Sequence, residues 1–134
     1  MGRYLGAPSD DVNSVEFLDL DDVMEIVRTL GVGPVRDIGL LDVAVNRPRA
    51  SAFGEDVYAT FELKVAALFH SISKNHALVD GNKRTAWLCT VVFCDLNGVE
   101  SALTNDEAYD LVVTVAGTQM ELSEIAERLQ LRAT

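Results

Sequence analysis

The sequence predicts an all-helical domain of about six helices, and three observations predict it. Segment after segment carries helix start and stop signals, with acids or threonine at the front and glycine or asparagine behind. Apolar residues recur at helical spacing over long stretches of the chain. Strand patterns are scarce, with only the loop from Arg47 to Glu55 open to a short hairpin. At 134 residues the chain is long enough for one domain, taken here as 1–134, and it is 49% hydrophobic, which supplies a core.

Residues 1–17 mix Gly, Pro, Ser and Asp and read as a weakly ordered lead-in. Asp19 is the expected N-cap of a first helix, with Asp21 and Asp22 in its first turn, Arg28 in its last and Gly31 just beyond. A second helix is expected from Asp37 to Asn46, stopping before Pro48. From Val57 to Asn75, Tyr58, Phe61, Leu63, Val65, Leu68, Phe69 and Ile72 mark a long core-facing helix without Gly or Pro. The segment after Gly81, ending at Asn97 and Gly98, is apolar nearly all round and so belongs in the middle of the domain. Thr104 and Glu107 form a capping box for a helix to Ala116, and Glu121 to Leu131 reads as a closing amphipathic helix.

Charge and cysteine usage narrow the function. With 21 acidic and 11 basic residues the net charge is −10, so non-specific DNA or RNA binding is not expected. Cys89 and Cys94 lie five apart in one helical segment and project about 140° from each other, poorly placed to pair. They read as reduced core residues. The longest apolar run, Thr85 to Leu96, is too short to span a bilayer, which takes about 20 residues, and no signal peptide is evident. The expectation is a soluble, cytoplasmic protein.

The stretch N-H-A-L-V-D-G-N-K-R-T-A-W, residues 75–87, breaks a rule that the other helices obey. Helix N-termini favour acids because the macrodipole places about half a positive charge there, yet Lys83 and Arg84 sit in this first turn. Two cations added to a positive end call for a bound anion. Backbone N–H groups of Gly81, Asn82 and Lys83 would converge with them into a phosphate cradle. The simpler alternative makes Asp80 a plain N-cap that pairs with Arg84, leaving Lys83 in solvent. His76, four residues before Asp80, favours the cradle, since histidine is the side chain best suited to take a proton near neutral pH. His70 lies six residues from His76, on another helix face, which argues against a zinc pair. Trp87 and Phe93 read as core, and Lys74 as finishing its helix electrostatically.

These residues resemble the signature of the Fic/Doc superfamily. H-A-L-V-D-G-N-K-R, residues 76–84, is similar to the Doc pattern H-x-F-x-D/N-x-N-K-R. The flanks L-L-D-V-A-V-N-R-P-R, K-V-A-A-L-F-H-S-I-S-K-N-H and F-C-D-L-N-G look alike too, so the likeness spans about residues 38–98. Adenylylating members resemble H-P-F-x-D/E-G-N-G-R-x-x-R; this chain has Lys83 at that glycine and Trp87 at the second arginine. Both departures favour the Doc branch.

The resemblance implies an all-α bundle with a short flap hairpin, and the toxin of a type II toxin–antitoxin pair. Its implied reaction moves the γ-phosphate of ATP to a threonine hydroxyl of elongation factor Tu, inhibiting translation. His76 would be the general base, Asp80 would hold Mg²⁺, Gly81, Asn82 and Lys83 would form the anion hole, and Arg84 would clamp a phosphate. Arg47 and Arg49 fall in the flap region, either helping to dock the target or standing as solvated loop cations. Ala77 and Leu78 replace the usual proline and aromatic, which would fix His76 less firmly. The implied partner is a Phd-like antitoxin, bound through its C-terminal segment and carrying any DNA contact. Adenylyl transfer, and a catalytically impaired module that only binds the antitoxin, are the alternatives.

Overall fold

The computed structural model describes residues 14–134. Its elements are α1 (Leu20–Leu30), α2 (Ile38–Asn46), a 3₁₀ turn (Arg47–Arg49), β1 (Ser51–Ala52), β2 (Glu55–Asp56), α3 (Phe61–Asn75), α4 (Asn82–Leu96), β3 (Val99–Ser101), α5 (Asn105–Gly117), α6 (Leu122–Arg128) and β4 (Leu131–Ala133). Six α-helices and two small antiparallel strand pairs among the described residues agree with the all-helical expectation.

Local chemistry sets the helix starts. Asp19 caps α1 through a reciprocal capping box with Asp22, and Gly31 closes the helix in the left-handed region at φ 68°. Asp37 accepts from the Leu40 N–H at the start of α2, and Thr104 forms the expected box with Glu107 on α5. Helix α3 starts later than the sequence predicts. It begins at Phe61, not Val57, with the Thr60 hydroxyl accepting from the Leu63 N–H. Residues 57–59 instead close the hairpin stem, where the Val57 N–H donates to the Ala50 carbonyl at 2.9 Å.

The core lies around α3, which packs against α2, α4, α5, α6 and the 3₁₀ turn. Val65, Ala66, Leu68, Phe69 and Ile72 of α3 are buried with Leu41, Val45, Cys89, Phe93, Leu111, Val115, Ile125 and Leu129. Helix α4, apolar nearly all round, has one side against α3 and leaves Val91 and Leu96 exposed on the other. Its apolar surplus is therefore not all absorbed by the interior. Burial pushes the thiols of Cys89 and Cys94 up to about 12, consistent with inert core residues.

The chain ends differently from the sequence expectation. Helix α6 stops at Arg128, Gln130 turns at φ 51°, and Leu131–Ala133 pairs with Val99–Ser101 in the register Val99 to Ala133 and Ser101 to Leu131. A three-residue strand has too little alternation to be seen in sequence, and its partner lies thirty residues away. The expected weakly ordered lead-in falls, for residues 1–13, outside the described residues. Beyond it, the backbone of Glu16 is held by two hydrogen bonds to the Asn97 amide, each 2.9 Å, and Phe17 stacks on Phe93 at 5.9 Å. No helix among the described residues is long and apolar enough to cross a membrane.

Candidate active site

The loop between α3 and α4, residues 76–81, carries the constellation, and it is fixed at several points. His76 caps α3 in the left-handed conformation, φ 52° and ψ 43°, a region that histidine enters more readily than most side chains. This turns the chain sharply and leaves His76 exposed. Its carbonyl accepts from the Arg36 guanidinium, a cation placed on the negative end of α3. Ala77 and Leu78 are then buried, Leu78 to 1% exposure, so the leucine that replaces the usual aromatic does anchor the turn in the core.

A second segment serves as platform for this loop. Residues 33–37 run antiparallel to it: Gly33 N–H donates to Asp80 O at 3.0 Å, Val79 N–H to Pro34 O at 2.9 Å, and Arg36 N–H to Ala77 O at 2.7 Å, with a bridge between Val35 and Leu78. Sequence reasoning did not find this platform. The apolar Val32 and Val35 in the short G-V-G-P-V-R connection were its one signal. Gly81 shows how closely the two segments approach. At φ +91°, a Cβ added there would sit 2.4 Å from Val32 Cβ, so no side chain fits.

Asn82 does more than lend a backbone N–H. Its side-chain oxygen accepts from Leu78 N–H at 3.0 Å and its amide donates to Leu78 O at 2.9 Å, a two-bond clamp that closes the loop on the first turn of α4. The clamp satisfies both backbone groups of a buried residue.

The N-terminus of α4 is open. Gly81 is its N-cap and supplies no side-chain acceptor, and the first intrahelical bond on the cap is Thr85 N–H to Gly81 O at 2.9 Å. Among the described residues the N–H groups of Gly81, Asn82, Lys83 and Arg84 have no partner. Lys83 and Arg84 are exposed and enter no ion pair, and neither does Asp80. The plain-cap alternative, with Asp80 capping α4 and pairing with Arg84, is thus not what forms. Asp80, Gly81, Asn82, Lys83 and Arg84 gather around one helix end, and His76 stands at the far end of the clamped loop. An exposed carboxylate beside a phosphate cradle suits Mg²⁺, which takes one or two carboxylates together with phosphate oxygens and water. No cluster of three or more His, Cys, Asp or Glu side chains exists among the described residues, so a metal here would depend on phosphate oxygens for its remaining ligands.

Arg47 is half-buried and points into the body, and Arg49 is exposed but lies against it. Arg47 donates to the Tyr58 hydroxyl at 2.7 Å and the Ser71 hydroxyl at 2.8 Å, and stands 3.1 Å from His70 Nδ1. Arg49 donates to Leu18 O at 2.9 Å and covers the Phe17 ring. They tie the hairpin base to the body, where the buried Lys64 adds an ion pair to Asp56 at 3.0 Å. The pKa of His70 is lowered by burial and then by the charges of Arg47 and Lys74. Lys74 itself bonds the carbonyls of Ala116 and Thr118, so it finishes α5 and not its own helix. Phe93 is buried as expected. Trp87 is only partly so, packed edge-on against Phe69 at 6.1 Å and lining a cavity with Lys83 and Arg84.

The model of the Fic/DOC family matches residues 17–94, from the start of α1 almost to the end of α4. The protein named Toxin Doc from Mycolicibacterium smegmatis is 46% identical over 118 residues, covering 85% of this chain and 91% of its own length. The one named Protein kinase doc from Escherichia phage P1 is 28% identical over 119 residues, covering 89% of this chain and 92% of its own. The chain therefore belongs to the Fic/DOC family, and the Doc toxins are the members it resembles over most of its length.

Proposed function

We propose that this protein is the toxin of a toxin–antitoxin pair and transfers the γ-phosphate of ATP to a threonine hydroxyl of elongation factor Tu. The observation that carries the reading is the α4 N-terminus, where four N–H groups and two cations without partners among the described residues adjoin a clamped loop that begins at His76. The names of the two relatives, a toxin and a protein kinase, support it.

The phosphates of ATP are held by the N–H groups of Gly81, Asn82 and Lys83 and by the Lys83 and Arg84 side chains. Asp80 would hold Mg²⁺, which when bound would neutralise charge on the phosphate oxygens. His76 takes the proton of the target hydroxyl as its oxygen attacks the γ-phosphorus. The bond to the β,γ-bridging oxygen breaks, ADP leaves, and His76 later returns the proton to solvent. General-base catalysis of this kind is worth roughly 10²- to 10⁴-fold. The partner is a Phd-like antitoxin bound through its C-terminal segment.

Incubation of elongation factor Tu with ATP labelled at either the α- or the γ-phosphate tests the assignment. Label retained from the γ-position alone is expected. Label from the α-position would make the protein an adenylyltransferase, and no label from either, with growth arrest intact in Asp80→Asn, would make it a binding module.

A further inference from the structure

The proposed transfer depends on His76, yet no side chain holds its ring. Among the described residues neither imidazole nitrogen has a hydrogen-bond partner, and the residue is exposed. The place of the ring is therefore set by the His76 backbone. That backbone lies in the left-handed region, φ 52° and ψ 43°. Helices often end in this conformation, but usually on glycine, and a residue with a Cβ keeps it only where its surroundings enforce it.

The enforcing contacts come from residues 36 and 37. Arg36 holds two successive carbonyls: its guanidinium donates to His76 O, and its N–H donates to Ala77 O at 2.7 Å. The Asp37 N–H donates to the same Ala77 oxygen at 3.1 Å, and the Asp37 side chain caps α2, which fixes where Arg36 leaves that helix. Among the described residues the guanidinium makes no ion pair and no second hydrogen bond. It also lies at the carbonyl end of α3, where the helix dipole favours a cation. The far end of the loop is held separately, by the Asn82 clamp on Leu78.

We propose that Arg36 is a positioning residue for His76, holding the left-handed turn on which the place of the imidazole depends. The inference rests on the proposed role of His76 as base and names what fixes that base. Without the guanidinium, His76 relaxes toward negative φ, and the ring moves with its Cα–Cβ bond. A misplacement of about 1 Å in a reacting group costs about 10²-fold in rate. Lysine at position 36 keeps a charged donor but not the planar fork, so it restores part of the effect.

Arg36→Ala, Arg36→Met and Arg36→Lys test this in the full-length chain by two readouts. The first is nuclear magnetic resonance of the turn itself, since the Overhauser effect between a residue's own amide proton and its Hα is stronger at positive than at negative φ. That signal of His76 should weaken in Arg36→Ala and persist in Arg36→Lys. The second is phosphorylation of elongation factor Tu. Its kcat should fall about 10²-fold in Arg36→Ala, with Arg36→Lys between the two, while KM for ATP and the affinity for inorganic tripolyphosphate with Mg²⁺ stay at the parent values. Arg36→Met keeps the apolar stem and removes only the donors, and it decides in the same way if Arg36→Ala does not fold. An unweakened His76 signal, a parental kcat, or a matching loss of tripolyphosphate affinity would overturn the proposal. If the parent modifies no elongation factor Tu, the proposed function fails, and the resonance readout still decides whether Arg36 holds the turn.

Discussion

Asn82 and Gly81 hold the loop of residues 76–81 by different means. Asn82 satisfies the N–H and C=O of Leu78, both on a buried residue, and an alanine there leaves two backbone groups unpaired at about 1–3 kcal/mol each. Asn82→Ala should therefore lower stability by about 2–6 kcal/mol in urea unfolding and reduce kcat. Asn82→Asp should fare no better, because a carboxylate accepts from Leu78 N–H but cannot donate to Leu78 O. Gly81→Ala meets a different obstacle, the Val32 side chain 2.4 Å from the new Cβ together with a positive φ. Its expected cost is about 2–3 kcal/mol by the same measurement, and a variant as stable as the parent would contradict the observed approach of the loop to residues 32–33. At this scale the sequence made the backbone of residues 81–84 legible, since glycine and cations at a helix start break a local rule. The Asn82 clamp was hidden because an asparagine at that place also fits an anion hole.

Among the elements, the hairpin depends on Arg47, which the sequence alone suggested as a docking or solvated loop cation. Arg47 enters it, Tyr58 leaves it, and His70 and Ser71 of α3 receive both through the Arg47 guanidinium. The hairpin tip presents Phe53 fully to solvent, so its stem carries the restraint. The lowered pKa of His70 gives this junction a pH signature. Above the free value of 6.5, folded and unfolded chains both hold a neutral imidazole, and its contribution to stability is complete. As pH falls below that value the unfolded chain takes up the proton first, and stability declines until the folded value is passed. Denaturant midpoints measured between pH 7.5 and 5.5 should show this decline, and His70→Gln should remove it. An unchanged pH slope in His70→Gln would show that another group sets the decline. Helix caps at Asp19, Asp37 and Thr104 were legible because each lies within three residues of its partner. Strand β4 and the platform at residues 33–37 were not, because their pairing is non-local and only the fold brings the strands together.

Across the whole molecule, charge separates the site from its surroundings. A chain of net charge −10 keeps Lys83 and Arg84 free of ion pairs among the described residues, while Arg28, Lys64, Arg128 and Arg132 are each paired with a carboxylate. The pairs of Arg28, Arg128 and Arg132 are exposed and contribute little to stability, so leaving two exposed cations unpaired costs the fold little and keeps them free for an anion. The family, the order of helices and the signature were readable from the sequence because they reside in short contiguous patterns. The cavity beside Trp87 was not, since α5 supplies half of its lining. The central claim is that His76, at the start of the clamped loop, activates a hydroxyl toward a phosphate held at the α4 N-terminus. Intact-mass spectrometry of elongation factor Tu, after incubation with the protein, ATP and Mg²⁺, tests it most directly. Addition of a single phosphate by the parent protein and none by His76→Ala is the predicted result, whereas equal modification by His76→Ala would contradict it.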